Sequence, residues 1–425
     1  MLNIDKKLLK LESENKIIRI GIVGVGQMGR GLVNQMTIIK GMRVSIVCSR
    51  NVENAVNAIL KASIKKEDIL IANTLQQANE GIEKGKYVVT PYAEIVTKAN
   101  LIDCVIDATG VPEVGAFVAY ESIINGKHVV MLNLETDVVI GPYLNNLAKQ
   151  NNVIYTGSAG DEPGSVMELY SFANAIGFDV RVIGKGKNNK MVRECTPQTV
   201  LDEALNRKMN PKMLCAFKDG TKTMVEMAAM SNATGFIVDV DGGHGVKANV
   251  NELSDVFKLK KDGGILSNHK VVEYVDGIAP GVFVVVYSDN DEYVFHMDYL
   301  KMGKGPLWTL YRPYHLCNLE TPITVAKIML ENEATIQPTY GLVSEVVAVA
   351  KKDLNLNDKL DGIGGFMTYG SVTTYKNATI NNYVPLGLIN ENSRVIKPIK
   401  KGQTLTWDNI EVDTTTLIYK LRTCI

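Results

Sequence analysis

The chain lacks the features that announce a special environment. Its six cysteines, at 48, 104, 195, 215, 317 and 424, are scattered through 425 residues with no C-x-x-C pair. That spacing argues against a zinc site and against a disulfide framework, and it suits a reducing compartment, so a cytoplasmic protein is expected. An excess of one charge is also missing. The 46 basic residues balance 46 acidic ones, and bulk charge therefore points to neither nucleic acid nor an anionic membrane as a partner. No apolar run is long enough to span a bilayer; the most apolar short stretch, Val282 to Tyr287, reads as a buried strand. The opening residues Met1-Leu2-Asn3-Ile4-Asp5-Lys6 hold no long apolar run, and no signal peptide is expected. What remains, 46% hydrophobic and 22% charged residues, is the composition of a globular protein large enough for two or three domains.

The most informative segment that is present lies near the start. The apolar strand Ile18 to Val23 runs into Gly24-Val25-Gly26-Gln27-Met28-Gly29, and the helix-compatible Leu32-Val33-Asn34-Gln35-Met36 follows. A G-x-G-x-x-G turn between strand and helix predicts a dinucleotide site. Gly24 allows the tight turn, Gly26 lets the backbone approach a pyrophosphate, and Gly29 lets helix and strand pack closely. The helix-start amides around Gln27 and Met28 then face the phosphates. The second strand ends Cys48-Ser49-Arg50-Asn51, with no carboxylate to receive a ribose 2′-OH. Ser49 and Arg50 suit a 2′-phosphate instead, so NADP(H) is the expected cofactor; a solvated surface arginine is the alternative.

Strands and helices alternate through the first 160 residues, after a helical lead-in over 1–17. Val44–Cys48 and Val153–Thr156 read as strands, Cys104–Gly110 as a buried strand ending in a turn, Gly126–Leu132 as a turn and another strand, Val52–Leu60 as a helix, and Pro112 as a first helical residue. The expected fold class is α/β: a Rossmann-type, doubly wound parallel sheet over 1–160, then a central α+β catalytic and oligomerisation domain over 161–341. Residues 342–425 form the third stretch. There Ala350–Leu360 faintly echoes Ile396–Leu405, which suggests a small β module built from two similar clips. In an open parallel sheet, ligands bind beyond the carboxyl ends of the strands. Thr109 and Gly110, after one central strand, and Asn133, after the next, are thus expected to face the nicotinamide half of a dinucleotide.

The densest polar cluster is Gly184-Lys185-Gly186-Lys187-Asn188-Asn189-Lys190, followed by Arg193. It continues an apolar strand, so its lysines are held on a rigid element. Lys185 and Lys187 are candidates to polarise or protonate a carbonyl oxygen, and Asn188 and Arg193 to bind an anionic substrate; a solvated basic turn is the alternative. Asp161-Glu162-Pro163 reads equally as a helix start and as a pair of carboxylates for acid–base work or for Mg²⁺ or Mn²⁺, with the metal question open. Tyr311-Arg312-Pro313-Tyr314-His315 offers Arg312 and His315 as an anion clamp or as caps of an aromatic cluster. His296-Met297-Asp298 reads as a bland pair on one strand face. His128, His244 and His269 look isolated and receive no role.

Taken in order, the glycine turn, Asp107-Ala108-Thr109-Gly110, Gly160-Asp161-Glu162-Pro163-Gly164, Gly184-Lys185-Gly186-Lys187-Asn188-Asn189, Tyr311–Leu316 and Leu360-Asp361-Gly362-Ile363-Gly364-Gly365 resemble the homoserine-dehydrogenase-like oxidoreductases that carry a C-terminal SAF domain. Val384–Leu388 and Lys401–Thr406 are similar to the SAF signature. The resemblance implies a β-clip fold for the tail. It implies an NADPH-dependent oxidoreductase acting on a small, anionic carbonyl or polyol substrate. Within that group, some members are a second type of 1-deoxy-D-xylulose 5-phosphate reductoisomerase, which uses NADPH and a divalent metal. Homoserine dehydrogenases usually carry Asn-Lys where this chain has Asn133-Leu134, which places homoserine second. A non-catalytic NADP-binding sensor is the reading from another class. The expected partners are a small-molecule substrate and further copies of the same chain, with no nucleic acid and no membrane.

Overall fold

The computed structural model describes residues 3–187 and 189–425, and the chain divides into two compact units, each assembled from separate stretches. The first comprises 1–161, 316–337 and 415–425; the second comprises 162–315 and 338–414. These limits differ from three consecutive domains, because segments late in the chain return to the first unit.

The first unit is built on seven strands, β1 (Ile18–Val23), β2 (Met42–Cys48), β3 (Ile69–Ile71), β4 (Tyr87–Thr90), β5 (Cys104–Asp107), β6 (His128–Met131) and β7 (Tyr155–Gly157). They are all parallel, in the order β3-β4-β2-β1-β5-β6-β7. Helices α1 (Ile4–Ser13), α2 (Gln27–Ile38), α3 (Val52–Lys61), α4 (Leu75–Glu83), α5 (Ala93–Lys98), α6 (Pro112–Ile124) and α7 (Leu134–Gln150) alternate with them. A parallel sheet covered on both faces needs nearly continuous apolar strands. Ile20, Ile22, Ile46, Val105 and Ile106 are accordingly shut off from solvent. Pro112 opens α6, where its missing N–H costs nothing. The strand order reverses between β1 and β5, which is where such sheets leave a crevice for ligands.

The second unit begins with α8 (Glu162–Ala175), β8 (Asp179–Lys187), α9 (Leu201–Asn206), α10 (Pro211–Lys218) and α11 (Thr221–Thr234). It continues with β9 (Ile237–Val238), β10 (Val246–Lys247), α12 (Leu253–Val256), β11 (Val271–Asp276), β12 (Val282–Tyr287), α13 (Asp291–Tyr299) and β13 (Leu307–Arg312). The strands form one mixed sheet in which β8 is central, parallel to β11 and antiparallel to β12. His296-Met297-Asp298 corrects the strand expectation, since it lies on α13. Asn290 caps that helix by accepting from the Glu292 and Tyr293 N–H groups, and Asp291 and Glu292 add favourable charge to its first turn.

Helix α14 (Thr321–Glu331) follows, and its Val325, Ala326 and Ile328 join the core of the first unit. The tail carries β14 (Ser344–Ala350), β15 (Thr368–Thr374), α15 (Tyr375–Ile380), β16 (Arg394–Val395), β17 (Ile410–Glu411) and α16 (Leu417–Arg422). Leu354 of the first echoing segment forms an antiparallel bridge with Ile399 of the second, and Val349, just before the first, forms one with Thr404. Buried bonds tie 338–414 into the second unit. Asn232 Oδ1 accepts from the Val343 and Ser344 N–H groups, and Thr221 Oγ1 accepts from the Gly370 N–H. In the first unit, Glu113 accepts from the Leu417 and Ile418 N–H groups at the start of α16. Among the described residues no helix is long and apolar enough to cross a membrane.

Candidate active site

The glycine turn joins β1 to α2 as its spacing predicts. Gly24 takes a positive φ of 97°, and an added Cβ would lie 2.9 Å from the Ala108 carbonyl carbon, so neighbouring strand ends press together there. An added Cβ on Gly29 would fall on the Gly24 carbonyl oxygen. Gly26 is the contrast: nothing stands within 4 Å of the position its Cβ would take. Its role is therefore to keep space open in front of the helix. The first intrahelical bond runs from the Arg30 N–H to the Gly26 carbonyl, which leaves the amides of Gln27, Met28 and Gly29 ahead of it, with no acid in the first turn. An open, positively polarised helix end of this kind fits a pyrophosphate.

This geometry separates two glycines that the motif treats alike. Gly29→Ala is expected to lose soluble, nucleotide-binding protein, because backbone has to move. Gly26→Ala is expected to melt as the unmodified protein does, yet to bind NADPH about tenfold or more weakly, a loss of about 1.4 kcal/mol. Thermal melting with titrated nucleotide checks both, and normal binding by Gly26→Ala would show that no phosphate approaches there.

Ser49 and Arg50 follow β2, and the Gly24 N–H donates to the carbonyl of Cys48, the last residue of that strand. Ser49 is half-buried, and Arg50 is exposed with no ion pair among the described residues. Asn51 is occupied as the cap of α3, accepting from Glu53 and Asn54. At the end of β5 the fully buried Asp107 fixes the next two candidates. Its carboxylate accepts from the Thr109 N–H at 3.0 Å and from Asn133 Nδ2 at 2.9 Å. Burial lifts its pKa to about 6, against the pull of those hydrogen bonds. Asn133 is also buried, and its Oδ1 has no hydrogen-bond partner among the described residues. That acceptor stands at a strand end of the first unit, the chemistry a nicotinamide carboxamide requires. Asp107 itself was missed as a positioning residue, although an acid ending a buried strand is a legible signal.

In the second unit β8 explains its own glycines. Strand alternation places Lys185 and Lys187 on one face and Gly184 and Gly186 on the other. An added Cβ on Gly184 would meet the Phe283 ring, and one on Gly186 would lie 2.6 Å from the Ala279 nitrogen. The glycines press the strand down, and the lysines project from the opposite side. Lys185 Nζ meets Glu162 Oε1 at 2.6 Å and also Glu226 Oε2, with all three side chains buried. Burial opposes the Lys185 charge, but the two carboxylates outweigh it and hold the ammonium above its ordinary pKa. Glu226 itself is raised, first by burial and then by Glu162. His315 Nε2 lies 3.4 Å from Glu162 Oε1.

Lys187 differs from Lys185. Its Nζ donates to the Phe217 carbonyl at 3.1 Å. Burial and the neighbouring Lys185 charge lower its pKa to about 8, which Glu226 partly opposes. A cavity of about 20 Å³, space for one water-sized group, is lined by Glu162, Lys185, Lys187, Asn189, Lys222 and Glu226, with Phe217 and Thr223 completing it.

The remaining candidates are less concentrated. Asp161 is half-buried at the C-terminal limit of the first unit's opening stretch, directly before α8. Arg193 is engaged elsewhere: Nη1 donates to the carbonyls of Asp219 and Gly370, and the guanidinium stands 4.8 Å over the Tyr369 ring. Arg312 pairs with Glu168 at 3.2 Å and stacks on Tyr314. Asn188 lies outside the described residues. Sequence reasoning missed Glu226. A single acid within Met224-Val225-Glu226-Met227-Ala228-Ala229-Met230 was the available sign, since a lone charge in an otherwise apolar stretch of helix needs a buried partner. It also read His244 as isolated. The His244 Nδ1 lies 2.6 Å from Glu273 Oε1 and its Nε2 lies 3.5 Å from Asp239 Oδ2, and the first of these contacts raises its pKa.

Residues 160–321 match the family model described as the catalytic domain of oxidoreductase DRL. The matched stretch contains Glu162, Lys185, Lys187, Glu226 and His315, and it bears out the oxidoreductase class expected from the sequence. No curated protein matches the chain. Solved structures to which the chain is similar include a Thermotoga maritima protein described as a probable dehydrogenase, at 13% identity and TM-score 0.42, covering 75% of this chain and 90% of that one. Another is scyllo-inositol dehydrogenase from Lactobacillus casei with NAD(H) and scyllo-inositol, at 14% identity and TM-score 0.37, covering 69% of this chain and 75% of that one. A third is a DOX-P reductoisomerase with magnesium, at 12% identity and TM-score 0.34, covering 50% of this chain and 57% of that one. These likenesses are too distant to carry an argument about substrate.

Proposed function

We propose that the protein is an NADPH-dependent oxidoreductase that reduces a small anionic carbonyl compound, with 1-deoxy-D-xylulose 5-phosphate reductoisomerase-like chemistry ranked first. The observation that carries this reading is Lys187, a buried ammonium with a pKa near 8 in a wall shared with two buried carboxylates. Bound nicotinamide supplies the hydride for the carbonyl carbon. Lys187 donates a proton to the oxygen as negative charge builds there, and its pKa near working pH makes the transfer nearly balanced in either direction. Lys185 holds Glu162 and Glu226 in place and keeps the pair compensated. Lys222 and Asn189 line the same small cavity and add polar groups to it. His315 positions Glu162. Glu162 and Glu226 offer carboxylate oxygens within 4.8 Å of each other, the hard donors that Mg²⁺ or Mn²⁺ takes, but the Lys185 ammonium already contacts both and opposes a second cation, so no step is routed through a metal. In the other unit, Gly24 to Gly29, Thr109, Gly110 and Asn133 are the nucleotide-binding residues. The tail, 342–425, carries a SAF-like β-clip, a reading supported by its antiparallel bridges.

The deciding experiment is NADPH consumption against phosphorylated ketoses and aspartate semialdehyde. Turnover of a phosphorylated ketose is expected; turnover of aspartate semialdehyde alone would favour the homoserine dehydrogenase reading. Tight NADPH binding without turnover across a broad carbonyl panel would favour a sensor.

Cofactor choice is tested separately. Arg50 has no ion pair among the described residues and Ser49 carries no charge, so NADPH is expected to bind about tenfold or more tightly than NADH. Ser49→Asp is expected to level or reverse that preference by repelling the 2′-phosphate. Equal affinity in the unmodified protein would overturn the assignment.

A further inference from the structure

The cysteines that look scattered in sequence do not stay apart. Cys195, in the stretch after β8, and Cys215, on α10, place their Sγ atoms 3.2 Å apart. Each sulfur also reaches the other's carbonyl oxygen, at 3.3 and 3.1 Å, so the two side chains face one another reciprocally. Both are free thiols and both are buried. A disulfide has an S–S distance of about 2.05 Å, so closure asks for a movement of about 1 Å.

A third element makes the site chemically distinct. Lys351, just beyond β14, is buried with Nζ 2.8 Å from Asp219 Oδ2, 2.8 Å from the Cys195 carbonyl oxygen, 2.8 Å from the Gly365 carbonyl oxygen and 3.4 Å from Cys215 Sγ. Cys195, Cys215 and Asp219 have the ligand chemistry of a metal site. The Lys351 ammonium already stands against two of them, where its charge opposes a second cation. The same charge favours a thiolate in the cluster. The bond between the two sulfurs holds Cys195 below the usual thiol range, with Lys351 and Lys218 helping, while that bond and burial hold Cys215 well above it. The reciprocal contact leaves each sulfur within reach of the other once one of them is oxidised.

We propose that Cys195 and Cys215 form a peroxide-sensitive pair that closes to a reversible disulfide. The Cys195 sulfur attacks one oxygen of hydrogen peroxide. An S–O bond forms and the O–O bond breaks, and the departing hydroxide leaves as water with the proton given up by Cys195. The Cys215 sulfur then attacks Cys195, the S–S bond forms and the S–O bond breaks. The second hydroxide takes the Cys215 proton and leaves as water. Two thiols lose two electrons, and one peroxide gains them. Burial excludes a bulky disulfide as the oxidant, and hydrogen peroxide is water-sized.

The test uses the full-length protein and does not depend on the proposed reaction, because nothing in it reads activity. After treatment with hydrogen peroxide, alkylation under denaturing conditions is expected to find four free thiols where untreated protein has six. Peptide mass mapping is expected to place the link between Cys195 and Cys215, and dithiothreitol to reverse it. In Cys215→Ser the link is lost and a sulfenic acid on Cys195 is trapped by dimedone. Retention of all six thiols, a link or oxidation confined to the other four cysteines, or irreversible sulfinic acid without a link would overturn the proposal. So would a bound zinc ion, found by elemental analysis, that shields both thiols. The mapping on unmodified protein decides the matter even where a variant fails to fold.

Discussion

Replacing Lys187 by Ala is expected to lower kcat about a hundredfold or more, with NADPH affinity nearly unchanged. Carbonyl reduction builds negative charge on oxygen, and a fixed ammonium stabilises that charge more in the transition state than in the ground state. Losing one such donor typically costs two to three orders of magnitude, about 2.7–4 kcal/mol. Nucleotide binding is expected to rest on the amides and open space of the glycine turn, Gly24 to Gly29. The pH profile adds an independent check. With a Lys187 pKa of about 8, the protonated fraction falls as pH rises through that value. Reduction should therefore slow above pH 8, and the reverse oxidation should quicken. Both dependences should flatten in Lys187→Ala. A variant with normal kcat, or one that fails only through weakened NADPH binding, would remove Lys187 from the chemistry and leave Glu162, Glu226 and His315 as the groups to examine.

Lys185→Ala is expected to act on stability before it acts on rate. Removing the ammonium leaves Glu162 and Glu226 buried and facing each other. Breaking a buried ion pair from one side costs about 3–5 kcal/mol, since the surviving charge stays desolvated. The loss should depend on pH with a definite sign. Burial and Glu162 already raise Glu226, and without Lys185 that elevation grows. A carboxyl whose folded pKa lies above its unfolded value favours folding when protonated, and that contribution disappears as pH rises through the folded value. Lys185→Ala should therefore be least destabilised in mild acid and most at neutral pH and above. Urea unfolding across that range measures it. Lys185→Met combined with Glu162→Gln and Glu226→Gln should recover most of the loss, because no uncompensated charge remains. If Lys185→Ala unfolds like the unmodified protein at neutral pH, the three side chains are not a closed ionic cluster.

The two lysines show where sequence reading stops. Their spacing at i and i+2 on a strand was enough to place both on one face, and Gly184 and Gly186 marked the tightly packed opposite face. Nothing in the spacing separates a clamped lysine from one with a lowered pKa. That difference depends on Glu162 arriving from the start of α8 and Glu226 from the middle of α11, 23 and 41 positions away. Arg193 shows the converse. Its position beside the cluster suggested an anion ligand, yet two carbonyls and an aromatic ring engage its guanidinium.

By itself the sequence determined the elements whose physics is local. The glycine turn between β1 and α2 followed from steric needs of a few consecutive residues. So did the parallel sheet, from short apolar strands alternating with helices, and the start of α6 at Pro112. Only the tertiary structure decided the groupings that depend on distant segments. It drew 316–337 and 415–425 back to the first unit. It set Asp107 against Asn133, closed two carboxylates around Lys185, and brought Cys195 and Cys215 together beside Lys351. The physical reason is common to all of these. A buried charge or thiol takes its pKa from whatever the fold places within a few ångströms, and one strand's residue order carries no record of which other elements will supply that neighbour.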